Sequence, residues 1–169
     1  MLNTSTPLDQ LNHILTREFH QCDLLAQNIV QERDAIKRMA LPEFLSINQV
    51  RVGILECLGA LKEEFDDCVT TLATIYQVPE ANRTVTEILH RVQSPQGGVI
   101  LQQYERLAEK VRAVKQDIQV NQILINHVQS FLMRAAEAHR EGAKEEDLYS
   151  ATGVRGSMAG QAVLIRRKG

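Results

Sequence analysis

Apolar residues recur along this chain in steps of three and four, and prolines and glycine-containing turns cut the pattern into segments. Leu8, Leu15, Cys22, Ile29 and Ile36 repeat every seven residues, with Leu11, Leu25 and Met39 on the interleaved row. This predicts a helix over about residues 8–39. Thr6 is placed to cap it, Pro7 suits the first helical position, and Asp9 sets a negative charge at the positive end of the helix dipole. Glu18 and Glu32 interrupt the interleaved row. Both are expected at the helix margins, with packed stems and carboxylates in water. Leu41-Pro42 should end the segment, because proline disfavours helical geometry in the residue before it.

A second helix is expected over about residues 43–76. Ile47, Ile54, Leu61, Cys68 and Ile75 form its heptad row, and Leu58, Phe65 and Leu72 widen the stripe. Gly53 and Gly59 lie inside it, each costing about 1 kcal/mol of helix propensity relative to Ala. They read as points of close helix approach. Val78-Pro79 stops the pattern, and Thr84-Val85-Thr86-Glu87 fits a capping box opening a short helix over about residues 84–92. Residues 94–98, Ser-Pro-Gln-Gly-Gly, read as a turn.

The longest helix is predicted over about residues 99–140. Tyr104, Val111, Ile118, Ile125 and Leu132 make one row, and Leu107, Val114, Asn121, Val128 and Ala135 the row three residues later. At 1.5 Å per residue it would be roughly 60 Å long. Gly142 is its expected C-terminal cap. Beyond a charged run at residues 144–147, glycines at 153, 156, 160 and 169 leave no helical period. The pattern therefore predicts an all-α fold: an elongated antiparallel helical bundle with coiled-coil-like packing over residues 1–142, and a flexible C-terminal tail over 143–169.

Composition narrows the function. Aromatic content is 4% with no Trp, so the helices should pack through aliphatic side chains. Nineteen Lys and Arg against 21 Asp and Glu give a net charge of −2, which disfavours a coat for nucleic acid or anionic membrane. The basic end, Arg166-Arg167-Lys168, has no neighbouring aromatic for base stacking, so no nucleic-acid partner is expected. The first residues lack a basic and then apolar leader, and apolar runs such as 123–125 are too short to span a bilayer. No membrane insertion is expected, and a cytoplasmic location is. Cys22, Cys57 and Cys68 form neither an even set nor a metal-binding pair, and read as small buried apolar residues.

Candidate chemistry is sparse. The five histidines are scattered, and the sequence signatures of zinc proteases, phosphate loops and nucleophile elbows are missing. No enzyme activity, catalytic residue, cofactor or metal is expected. Asn121, polar at the centre of the seam, is either a register-setting buried amide or a direct partner contact. Val120, Leu124 and Phe131 add an apolar row beside Ile125, Val128 and Leu132. Either the bundle wraps around this stretch, or it awaits a helical partner.

Asp147-Leu148-Tyr149-Ser150-Ala151-Thr152-Gly153, after a long helix centred on residues 121–126 and before a basic tail, resembles the C-terminal element of the FlgN family of flagellar export chaperones. Leu148, Tyr149, Ala151 and Gly153 match that element, and the first helix is similar in its heptad pattern. The Tyr76–Gly98 segment departs from smaller family members. The resemblance implies a cytoplasmic type III export chaperone, working without ATP, for hook-associated proteins of the hook–filament junction. It would bind their C-terminal helices, prevent premature assembly and deliver them to the export gate. It further implies that Val120, Leu124, Val128, Phe131 and Leu132 hold the substrate helix. Leu148, Tyr149, Ala151 and Gly153 would dock on the cytoplasmic domain of the gate. The same seams also suit a coiled-coil adaptor or scaffold of another secretion or signalling pathway, and weak self-association stays open.

Overall fold

The computed structural model describes residues 6–148, with side chains through residue 140. Four α-helices are present among the described residues: α1 (Pro7–Lys37), α2 (Leu41–Ile75), α3 (Val85–Val92) and α4 (Pro95–Leu148), with one 3₁₀ turn at Glu80–Asn82 and no strand. The fold is all-α. The chain divides into two compact units, Met1–Ile125 and Asn126–Gly169.

In the first unit the long helices alternate in direction. Between α1 and α2, bonded pairs close in sequence toward the turn: Pro7–Cys68, Arg17–Glu64, Asn28–Arg51, then Glu32–Arg51. That shrinking separation marks an antiparallel hairpin. Between α1 and α4 the separation hardly changes, from 87 residues for Asp9–Gln96 to 89 for Glu32–Asn121. These two helices therefore run parallel, as an up-down-up order requires.

The helix ends follow from local chemistry. Thr6 caps α1 through a reciprocal box: its Oγ1 accepts from the Asp9 amide (3.2 Å), while the Asp9 carboxylate accepts from the Thr6 amide (3.2 Å). Arg38–Ala40 turn the chain, with Met39 in the left-handed region at φ 53°. Helix α2 then starts at Leu41, two residues before the position expected. Pro42 opens it instead of only ending α1, since a first-turn proline lacks an N–H that has no helical partner anyway. Thr84 caps α3, accepting from the Glu87 amide at 3.2 Å, but Glu87 pairs with Arg91 at 3.0 Å and leaves the expected box half formed.

Helix α4 departs most from its sequence pattern. It begins at Pro95, inside the stretch expected to be a turn, with Ser94 Oγ accepting from the Gly97 amide at 3.1 Å. Ser-Pro here is a cap followed by a first helical residue. Gly97 is buried, and a Cβ there would stand 3.1 Å from Val92 Cγ1, so glycine permits the close approach of α3. At its other end α4 runs through Gly142, which does not cap it, to Leu148. Residues 143–148 are therefore helical, in place of the expected start of a flexible tail. Residues 149–169 of that tail lie outside the described residues.

The core of the first unit is aliphatic. Leu11, Leu15, Leu72, Ile88 and Ile100 are sealed from solvent, joining α1, α2, α3 and α4. Each such burial contributes about 1.5–3 kcal/mol. Leu25, Ile29, Ile54 and Val114 continue it. Phe19 lies under Arg106 (5.8 Å to the ring centre) and Lys110 (5.9 Å), and Lys110 pairs with Asp23, adding polar ties between α1 and α4. Two sequence expectations fail here. Gly53 and Gly59 do not serve close approach: a Cβ at either meets nothing within 4 Å among the described residues. Cys57 is exposed, lining an open groove with His13, His20 and Gln21, whereas Cys22 and Cys68 are buried and their thiols pushed up by burial.

Candidate interaction surfaces

The seam of α4 changes character along its length. Leu107, Val114 and Asn121 are buried, one heptad apart, whereas Ile118 and Ile123 are exposed. Asn121 is 1% exposed and fully used: Nδ2 donates to the Ile29 carbonyl (2.8 Å) and to Glu32 Oε2 (2.7 Å), and Oδ1 accepts from Arg33 Nε (2.8 Å). It is the buried register-setting amide. A direct partner contact is not available to it.

Glu32 is the partner that makes this layer. It is 2% exposed, which overturns its expected place at the helix margin. Its Oε1 accepts from Arg51 Nη1 at 2.8 Å, and Arg51 Nε donates to Asn28 Oδ1 at 2.9 Å. Arg33 reaches Asp117 at 2.7 Å. Burial is the largest influence on the Glu32 carboxyl and acts upward. Hydrogen bonds from Arg51, Asn121 and Asn48, with the Arg51 charge, outweigh it and hold the group below the ordinary glutamate range. Glu18 behaves oppositely: burial, then the Asp66 charge, raises its carboxyl.

The layer can fix which residues of α1, α2 and α4 face one another, because a shifted register would strand a buried charge. Its centre, Asn28, Glu32 and Asn121, is buried, and the Arg33–Asp117 pair forms its solvent-facing edge. Among the described residues, no group of three or more His, Cys, Asp or Glu side chains could hold a metal ion.

The substrate-holding residues implied by the resemblance fall on α4. In the first unit Val120 is 44% exposed and Leu124 half-buried. In the second unit Val128 is half-buried, and Phe131 and Leu132 are exposed, Phe131 at 58%. The bundle of the first unit thus leaves Val120 open. Ile118, Ile123 and Met133 are also exposed, and none of the three belongs to the residues the resemblance implies; the heptad spacing places Ile118 in the seam. Leu148 is the last residue of α4, and Tyr149, Ala151 and Gly153 lie outside the described residues.

A further apolar surface lies on α2, where Leu41, Leu45, Val52 and Leu55 are exposed. Helix α2 is also the one helix among the described residues long and apolar enough to cross a membrane. Arg51, within that apolar stretch, is committed to Glu32 and Asn28.

In comparison with protein families, the family model described as FlgN protein matches residues 1–156. Comparisons with curated proteins and with solved structures give no match.

Proposed function

We propose a cargo and a route for this chain, which belongs to the FlgN family of flagellar export chaperones. The chain binds the C-terminal helices of hook-associated proteins, keeps them from assembling in the cytoplasm, and carries them to the cytoplasmic domain of the export gate. Val120, Leu124, Val128, Phe131 and Leu132 of α4 take the cargo helix, and Leu148, Tyr149, Ala151 and Gly153 engage the gate. The observation that carries this reading is the solvent exposure of large apolar side chains on α4: Val120 in the first unit, and the neighbouring Phe131 and Leu132 in the second. A tyrosine suits the gate contact because it offers a large amphipathic surface at little rotamer cost.

The test is a paired binding measurement on the full chain. Phe131→Asp is expected to weaken binding of a hook-associated protein's C-terminal peptide by on the order of 10-fold or more, because it puts a charge into an apolar contact. Tyr149→Ala is expected to weaken gate-domain binding and leave peptide binding intact. Loss of both activities in either variant, or of neither, refutes the division of roles.

A further inference from the structure

Helix α2 has two apolar faces. Ile54, Leu61, Cys68 and Leu72 are buried in the bundle. Leu41, Leu45, Val52 and Leu55, between 49 and 63% exposed, are spaced by four, seven and three residues, which places them along one stripe about 21 Å long. Gly59 continues that stripe with open space above it. An interior helical glycine that serves no contact in its own fold leaves room for another backbone to come close.

Farther along, the same side of the helix turns acidic. Between residues 56 and 67 α2 carries Glu56, Glu63, Glu64, Asp66 and Asp67 against Lys62 alone. Glu64 pairs with Arg17 and Asp66 with Lys62, which leaves a surplus of exposed carboxylate at Glu56, Glu63 and Asp67. The surface is therefore apolar at one end and negative at the other.

We propose that this face of α2 docks an amphipathic helix of a partner protein. Leu41, Leu45, Val52 and Leu55 take its apolar stripe, and Glu56, Glu63 and Asp67 take a Lys- and Arg-bearing end. The charge pattern selects this occupant. A second copy leaves half of the face unused: parallel pairing of two α2 faces sets carboxylate on carboxylate, and antiparallel pairing across residue 48 matches the apolar stripes but leaves Glu56, Glu63 and Asp67 with no cation. An anionic membrane surface would be repelled by the same carboxylates. This face lies on α2, whereas the cargo residues lie on α4.

The probe is a fluorescent synthetic helix of about 20 residues, with leucines at three-four spacing over one half and Lys and Arg over the other, and a twin with Glu in place of the cations. The full chain is expected to bind the cationic probe on the order of 10-fold more tightly than its twin, with affinity falling as salt rises. Val52→Asp should weaken the cationic probe on the order of 10-fold without changing the far-UV circular dichroism, since Val52 is exposed. Phe131→Asp should leave it unchanged. The double variant Glu56→Lys/Glu63→Lys should reverse the preference between probes. The proposal is overturned by equal or absent binding of the two probes, or by loss on Phe131→Asp instead of Val52→Asp. It is equally overturned by sedimentation showing a dimer that Val52→Asp breaks, or by capture on phosphatidylglycerol vesicles.

Discussion

Replacing Arg51 by Met tests whether the buried layer between α1, α2 and α4 is a charge pair whose halves need each other. Glu32 is 2% exposed, and the Arg51 side chain 16%. The substitution removes the guanidinium 2.8 Å from Glu32 and leaves the carboxylate with amide donors from Asn121 and Asn48. It also strips Asn28 Oδ1 of its donor. Breaking a buried pair costs about 3–5 kcal/mol. The partial exposure of Arg51 places this one near the lower figure, about 3 kcal/mol. With a urea slope of about 2 kcal/mol per molar, the unfolding midpoint should fall by about 1.5 M, followed by far-UV circular dichroism. The double variant Glu32→Leu/Arg51→Met, which removes both charges, should recover most of that loss.

The pH dependence carries a second signature of the same substitution. In the native protein Glu32 titrates below its unfolded value, so its stabilisation is present above the ordinary glutamate range and is lost as pH falls through the lower folded value. Without Arg51 the burial effect weighs more, the carboxyl rises, and acid relieves the strain. The gap between native and Arg51→Met should therefore narrow toward low pH. A single-variant loss below about 1 kcal/mol, or a double variant as unstable as the single, would refute the reasoning.

Two further substitutions probe surfaces the fold leaves free. Gly53→Ala and Gly59→Ala should each stabilise α2 by about 1 kcal/mol, read as a higher melting temperature, because an added methyl meets open space. A lower melting temperature would show that either glycine is needed inside the bundle. Glu18→Gln should stabilise the protein near neutral pH by under about 1 kcal/mol, because burial and Asp66 disfavour the ionised carboxyl. The raised folded value puts the native penalty above that value and removes it as pH falls, so the advantage should vanish by about pH 4 in urea titrations.

Heptad spacing alone makes the helical fold legible. Leu15, Cys22 and Ile29, and Ile54, Leu61 and Cys68, are all buried as their spacing requires. Caps with one local partner, such as Thr6 with Asp9, are equally readable. Glu32 is not. Its partners, Arg51 and Asn121, stand 19 and 89 residues away, and spacing on one helix carries no information about which charges of other helices it meets. The start of α4 is ambiguous for a different reason: Ser94-Pro95 carries both a turn signal and a helix-start signal, and the burial of Gly97 against α3 decides between them. The exposed leucines of α2 are visible as a periodicity. Only the finished bundle shows that they are left outside it.

At the foot of the first unit, Asp9 accepts from the Thr6 amide and also from Gln96 Nε2 at 2.8 Å, and these contacts draw its carboxyl downward, those from Thr6 most strongly. One short acidic side chain thus serves as a clasp for the beginnings of two helices far apart in the chain. Helices α1 and α4 set out side by side from that clasp, and the buried Glu32–Asn121 contact meets them in the same alignment 23 residues along α1, so the pair is pinned near its start and again farther up, as a zipper is held at its first teeth and at its slider.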